Sequence, residues 1–408
     1  MKFDVNAKNL VTALDAVSSV RPTQPAGTEG YLFSVRGNMC NVYSRNAMHV
    51  ARSSFPVSDS DGDVDFIYPV KAVDAFRYVS DTVSFTVTEE STGEDTTSIV
   101  VSYADPSGAS ATRSTVDPNL LAKCEEDLAE ATASFEYPAT ILQIALNNAK
   151  NYCAKDDRVQ EVYKVVQIFD ASTPDVIEGN GVMFASNTAM AIFFKCSEFL
   201  NKALVVGSEH VSIVGSFLGK CPGKVKVHNG QNMLFFEDTA GNILGVLKRV
   251  KQHTKYKYIP LQNDQFVFQI PKSSILASLK YLRAELDANR DKISVQYKKD
   301  SGQIVFQMLD RSSKAKAMPV RIKVVLESPD FDDFAFNLNI DHFISLFDSA
   351  QSNDVEFRVF TRTVAGKSSA FFRSIDRFWV DESGKILVDI TQSGAIECTV
   401  TRFVSSKD

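Results

Sequence analysis

Six segments of this chain repeat one pattern. Residues 2–20 (KFDVNAKNLVTALDAVSSV), 134–153 (SFEYPATILQIALNNAKNYC) and 265–282 (QFVFQIPKSSILASLKYL) each open with a short alternating strand. A polar or proline break follows, then an amphipathic helix with apolar residues three and four apart. In the third segment Ile275, Leu276, Leu279 and Leu282 form one stripe. Fainter copies lie at residues 65–80 (DFIYPVKAVDAFRYVS), 202–219 (KALVVGSEHVSIVGSFLG) and 333–350 (DFAFNLNIDHFISLFDSA). Alternating strands at 82–87, 224–228 and 354–360 follow them. The copies start at Phe3, Phe66, Phe135, Leu204, Phe266 and Phe334, at spacings of 63, 69, 69, 62 and 68 residues. That period exceeds the roughly 20–50 residues of solenoid repeats. One short helix among alternating strands predicts an α+β class, with antiparallel sheets and helices on one face.

Length agrees with the repeats. At about 150 residues per domain, 408 residues make two or three domains. Pairing the copies gives domains at residues 1–130, 131–263 and 264–408, with the acidic segment 124–130 closing the first. Turn-rich stretches at 58–63, 89–97, 105–114, 172–181 and 312–316 read as loops between strands. No apolar run approaches the roughly 18 residues of a membrane span, and the opening MKFDVNAKNL has no signal-peptide core. The expectation is a cytoplasmic protein that does not contact membrane.

Chemistry-bearing motifs do not emerge. The cysteines, Cys40, Cys124, Cys153, Cys196, Cys221 and Cys398, show no C-x-x-C spacing and read as free thiols in a reducing compartment. The five histidines form no H-E-x-x-H motif, and no G-x-S-x-G, P-loop or G-x-G-x-x-G sequence occurs. Asp59, Asp61 and Asp63 resemble the opening of a calcium loop but lack the glutamate at its twelfth position, so a solvated turn is expected. Residues 330–333 (DFDD) read as a charged turn. A non-catalytic protein without metal or cofactor follows from these features.

The opening MKF-x-V with Leu10, Leu14 and Val17-Ser18, and the turn Arg21-Pro22-Thr23-Gln24-Pro25, are specific enough to name a relative. With residues 135–170, where Asp157, Val159 and Tyr163 precede a strand, they resemble the bacterial DNA polymerase III beta subunit, the replicative sliding clamp. The resemblance implies a DNA-clamp fold of three similar domains, each of two βαβββ-like halves. It implies a head-to-tail homodimer closed into a ring, with helices lining the interior and antiparallel sheets outside. Such a ring encircles double-stranded DNA without reading sequence. It tethers the replicative DNA polymerase, is opened by a clamp loader, and receives other clamp-binding-motif proteins in a cleft between the second and third domains.

This chain departs from the family's pattern in places. Extra residues fall in 89–97, in 105–110 and in an expected hairpin from Trp379 to Ile390. The segment that often reads D-G-H-R-L is Ser186-Asn187-Thr188-Ala189-Met190-Ala191 here, and Gly207-Ser208-Glu209-His210 stands where basic residues often precede the fourth helix.

By the same resemblance the DNA-contacting set is Lys8, Arg21, Lys71, Arg77, Lys150, Lys155, Tyr163, Lys280 and Arg283. The six helices and adjoining turns carry eleven basic residues against eight acidic ones, in a chain of net charge −6. That sorts positive charge toward an inner wall, where contacts go to phosphate rather than base edges. A basic run, Lys248, Arg249, Lys251, Lys255 and Lys257, reads equally well as phosphate contact or solvated loop. The implied partner pocket comprises Ala189, Met190, Tyr258, Ile259, Pro260, Asn339, His342, Val364 and Val400. Two alternatives stand beside this reading: a clamp-like protein that binds replication factors without encircling DNA, and a β-rich phage-type structural protein.

Overall fold

The computed structural model describes residues 1–22, 30–79, 81–91, 97–105, 108–114, 125–156, 158–169, 181–187, 190–248, 266–286, 292–308, 320–323, 325–326, 334–350, 352–364, 367–380, 386–387 and 396–405. All six repeat starts are strands: Lys2–Asn6, Val64–Pro69, Ser134–Pro138, Leu204–Gly207, Phe266–Pro271 and Phe334–Asn339. A helix follows each one: α1 (Ala7–Val17), α2 (Val70–Val73, continued by a 3-10 turn over Asp74–Tyr78), α3 (Ala139–Lys150), α4 (Val211–Leu218), α5 (Lys272–Glu285) and α6 (Ile340–Asp348).

The strand-to-helix break is set locally. Asn6 caps α1, its side chain accepting from the backbone N–H of Lys8 at 3.0 Å and of Asn9 at 3.3 Å. Asn339 caps α6 in the same way, accepting from His342 N at 3.1 Å. Each cap satisfies donors that the first helical turn leaves open. Pro138 and Pro271 stand at the same position before α3 and α5, where proline's missing N–H costs a helix nothing.

The chain divides into two compact units. The first comprises Met1–Gln143 with Glu209–Arg249, the second Ile144–Ser208 with Val250–Asp408. In the first, an eight-stranded antiparallel sheet runs in the order Val64–Pro69, Gly30–Arg36, Met39–Arg45, His49–Pro56, Ile243–Leu247, Met233–Glu237, Lys224–Asn229 and Ser134–Pro138. A four-stranded sheet of Lys2–Asn6, Thr82–Ser91, Thr97–Asp105 and Gly108–Ser114 joins it. In the second unit, a ten-stranded sheet runs Leu204–Gly207, Val165–Phe169, Gly181–Ser186, Met190–Cys196, Ile396–Ser405, Lys367–Val380, Asp354–Val364, Phe266–Pro271 and Val325–Leu326. Ile386–Leu387 extends it by pairing with Lys367–Val380. A second four-stranded sheet holds Val320–Lys323, Gln303–Met308, Lys292–Lys298 and Phe334–Asn339.

Both large sheets run across the expected boundaries at 130 and 263. Val50 pairs with Gly245 in one, and Ile192 with Val400 in the other. Such pairing uses backbone groups that would otherwise form an open edge. The expected middle segment 131–263 therefore contributes strands to both units.

Phenylalanine fills the cores. Phe3 stacks on Phe85 and Phe33 on Phe66, each pair with ring centroids 5.0 Å apart, and Phe76 meets Phe85 edge-on. In the second unit Phe343 of α6 packs edge-on against Phe347 and Phe357. The predicted stripe of α5, Ile275, Leu276, Leu279 and Leu282, is buried.

One expectation is corrected. Residues 105–114 read as a loop, yet Gly108–Ser114 is a strand, with Thr112 opposite Val101 and Ser114 opposite Ile99. Its sequence, GASATRS, has no large apolar side chain, so no period-two pattern is visible; hydrogen bonding to Thr97–Asp105 makes it a strand. The hairpin expected from Trp379 is present as the pairing of Trp379 with Leu387.

Candidate nucleic-acid interface and partner cleft

The cations assigned to DNA sit on or beside the repeat helices, and several already hold carboxylates. In the first unit Arg77 pairs with Asp15 of α1, and its Nε lies 3.7 Å from Asp74. Lys220 Nζ donates to the carbonyl of the same Asp15 at 3.2 Å. Lys8 and Arg21 are exposed. Lys71 lies in α2. Exposed Tyr78, 89% accessible, follows Arg77.

In the second unit Lys150 ends α3. Lys155 and Tyr163 are brought close, because Ala154 N donates to the Tyr163 carbonyl at 2.7 Å. On α5, Lys280 Nζ stands 3.4 Å from Asp348 and Arg283 Nε 2.8 Å from Asp341, both on α6. These pairs join residues counted on opposite sides of the sequence charge balance. All are partly exposed, and exposed pairs contribute only about 0–1 kcal/mol. Phosphate can therefore compete for the cations.

The structure also shows a cation that the charge reading omitted. Arg158 donates from Nη2 to Asp156 at 2.9 Å and holds that carboxyl below its usual range. Its pairing partner two residues away was the available signal. From the basic run, Lys248 Nζ donates to Asn229 Oδ1 at 2.7 Å and to the Gly230 carbonyl at 2.8 Å. Residues 249–265 lie outside the described residues, as do Tyr258, Ile259 and Pro260 of the pocket and Ala189.

The remaining pocket residues belong to the second unit. Met190, 5% exposed, begins the strand Met190–Cys196, held in place by Asn187 Oδ1, which accepts from Met190 N at 2.8 Å. Val400 lies two pairs along on the adjoining strand, opposite Ile192, while Met190 stands opposite Arg402. The register thus brings Val400 onto the strand beside Met190 and Ile192. Asn339 and His342 share the cap of α6. Val364 closes its strand opposite Lys367.

Reactive groups are muted. Cys40, Cys153, Cys196 and Cys221 are buried free thiols. Burial pushes the Cys196 thiol up to about 11 and that of Cys221 up to about 12, away from nucleophilic thiolate. Among the described residues no group of three or more His, Cys, Asp or Glu is placed to hold a metal ion. Among those residues, too, no helix is long and apolar enough to cross a membrane.

No family model and no curated relative matches the chain. Solved structures do match it end to end. The DNA polymerase sliding clamp of Pseudomonas aeruginosa, solved with a ligand, has a TM-score of 0.71 at 12% identity, covering 100% of this chain and 99% of that one. The DNA polymerase III subunit beta of Borrelia burgdorferi, in complex with a natural product, has a TM-score of 0.72 at 11% identity, with both chains fully covered (100%). The beta subunit of Thermotoga maritima has a TM-score of 0.66 at 12% identity, covering 100% and 99%. With every repeat strand and helix in sequence order and both large antiparallel sheets intact, this chain has the fold of the bacterial DNA polymerase III beta sliding clamp.

Proposed function

We propose that the chain is a DNA sliding clamp, a non-catalytic processivity factor for a replicative polymerase in the cytoplasm. Its three domains are residues 1–130, 131–263 and 264–408. Two chains close head to tail around double-stranded DNA, which their helices face. A clamp loader opens the ring. The polymerase and other proteins dock a short peptide in the cleft around Met190 and Val400, with Asn339 and His342 at its rim. The observation that carries this reading is the sixfold strand–helix repeat in a chain that matches a sliding-clamp structure over its full length.

The chemistry supports a topological hold. The cations Arg77, Lys280 and Arg283 are each shared with a carboxylate. Their attraction for phosphate is correspondingly modest and falls with salt. A ring needs no more, because a closed loop on a circle cannot dissociate sideways.

The decisive experiment loads the protein on nicked circular DNA and then linearises the circle. Retention on the circle and release from the linear product are expected. Equal loss from both overturns the encircling reading and favours the alternative, a clamp-like protein that binds replication factors without enclosing DNA. The weak charge of the helix faces is the observation that keeps this alternative in play. A particle image showing a closed ring of two chains tests the assembly separately.

A further inference from the structure

The turn that presents Met190 has an internal counterpart. Between the strands Gly181–Ser186 and Met190–Cys196, Asn187 N donates to the Met190 carbonyl at 3.1 Å and Asn187 Oδ1 accepts from Met190 N at 2.8 Å. Between the strands Met39–Arg45 and His49–Pro56, Asn46 N donates to the His49 carbonyl at 2.9 Å. Asn46 Oδ1 accepts from His49 N at 2.8 Å and from Met48 N at 2.9 Å. The strand leaving each turn then pairs across an expected domain boundary. Met190 faces Arg402 and Ile192 faces Val400; likewise His49 faces Val246 and Ala51 faces Leu244. The same pair of asparagine hydrogen bonds thus opens the same kind of strand junction twice.

At this counterpart the structure holds a cleft of about 390 Å³, within the first unit. Met48, Met233 and Leu247 give it an apolar lining, and Leu247 is 37% exposed. Methionine adapts to side chains of different shape. Asp127 also lines the cleft and is only 7% exposed, with one hydrogen bond, from Asn232 Nδ2, at 3.4 Å. Its carboxylate, turned to the cleft, offers a charged acceptor to a cationic donor, the stronger kind of hydrogen bond. Arg45 lines the cleft from the preceding strand, where a guanidinium suits the carbonyls of an extended backbone.

We propose that this cleft is a second peptide-docking site, taking an extended segment in which an aliphatic anchor on Met48, Met233 and Leu247 adjoins a lysine or arginine paired with Asp127. The inference draws on the peptide-binding reading of the Met190 cleft through the shared asparagine hydrogen bonds, but does not require that DNA be encircled.

The test uses the full chain with ¹³C-methyl methionine, its Met48, Met190 and Met233 signals assigned by single leucine substitutions. The probes are acetyl-Leu-Lys-Leu-amide and its Gln and Glu counterparts. The lysine peptide is expected to shift Met48 and Met233, binding about tenfold more tightly than the glutamine peptide at low salt, with the glutamate peptide weakest. Asp127→Asn should bring the lysine and glutamine peptides level. The three-peptide comparison on the unaltered protein stands alone if that variant does not fold. No shift of Met48 or Met233 up to about 5 mM peptide, or equal affinity for all three, overturns the proposal. A shift at Met190 alone also overturns it, while leaving the first cleft's reading intact. Shifts at Met48 and Met233 without Met190 support it and count against the first cleft.

Discussion

Arg283 Nε lies 2.8 Å from Asp341 Oδ1, joining the last turn of α5 to the first turn of α6. Each residue also suits its helix end, because the helix macrodipole favours a cation at the C-terminus and an anion at the N-terminus. The pair is a local electrostatic match made from charges that a DNA-facing wall would otherwise leave in opposition.

Removing the competing carboxylates should therefore strengthen DNA binding. The double variant Asp341→Asn, Asp348→Asn is expected to bind duplex DNA about 3–10-fold more tightly at low salt, with the gain fading as salt screens it. Fluorescence anisotropy across a salt series measures this. Unchanged affinity at every salt concentration would remove the α5–α6 face from the interface.

The asparagine caps should carry measurable stability. Asn6→Ala and Asn339→Ala are each expected to cost about 1 kcal/mol, whereas glycine at either position should cost only a few tenths. Urea unfolding followed by circular dichroism provides the comparison. An equal loss for alanine and glycine would assign the effect to something other than the cap.

Gly181 is a steric requirement. A Cβ there would stand 2.2 Å from the backbone carbon and oxygen of Phe199. Backbone cannot retreat as a side chain can, so Gly181→Ala should destabilise by about 1–3 kcal/mol. Gly62→Ala, with open space around it, is the matched control and should change stability by less than about 0.5 kcal/mol.

Stability should fall on mild acidification through His49. Its Nε2 lies 2.9 Å from Nδ1 of buried His210, and its Nδ1 lies 3.2 Å from Asn46 Oδ1. Burial chiefly, and then His210, lower its pKa from the ordinary 6.5, while Glu209 acts in the opposite sense. A lowered folded-state pKa means that the unfolded chain binds the proton more readily. This contribution is complete above pH about 6.5 and is lost as pH falls toward and through the folded-state value. Thermal unfolding from pH 7.5 to 5.5 should show the decline, and His49→Gln should flatten it. An identical slope in that variant would acquit His49.

The sequence carried the local half of this architecture. Each repeat start proved to be a strand followed by a helix because the alternation, the break and the three-and-four spacing all lie within some twenty residues. The polar break was visible in that window, but that Asn6 and Asn339 cap the helices was seen only in the structure. The sheet partners were not, since nothing in residues 49–56 announces 243–247. Gly108–Ser114 was misread because its strand character comes from its neighbour rather than its side chains. The charges on and beside the helices were counted without Arg158 and without their pairings, for Asp15 meets Arg77 and Asp348 meets Lys280 only after folding. Met190 was assigned to a pocket through resemblance alone, while the likeness of its Asn187 hydrogen bonds to those of Asn46 became visible only when both sets could be compared.

The pairing of His49–Pro56 with Ile243–Leu247 also sets a timetable for synthesis. A ribosome adding about 5–20 residues per second leaves the earlier strand without its partner for roughly 10–40 s. During that interval a row of backbone donors and acceptors is open to any passing chain. The nascent protein therefore needs shelter early, and the first half of the molecule is where a chaperone should be found during translation.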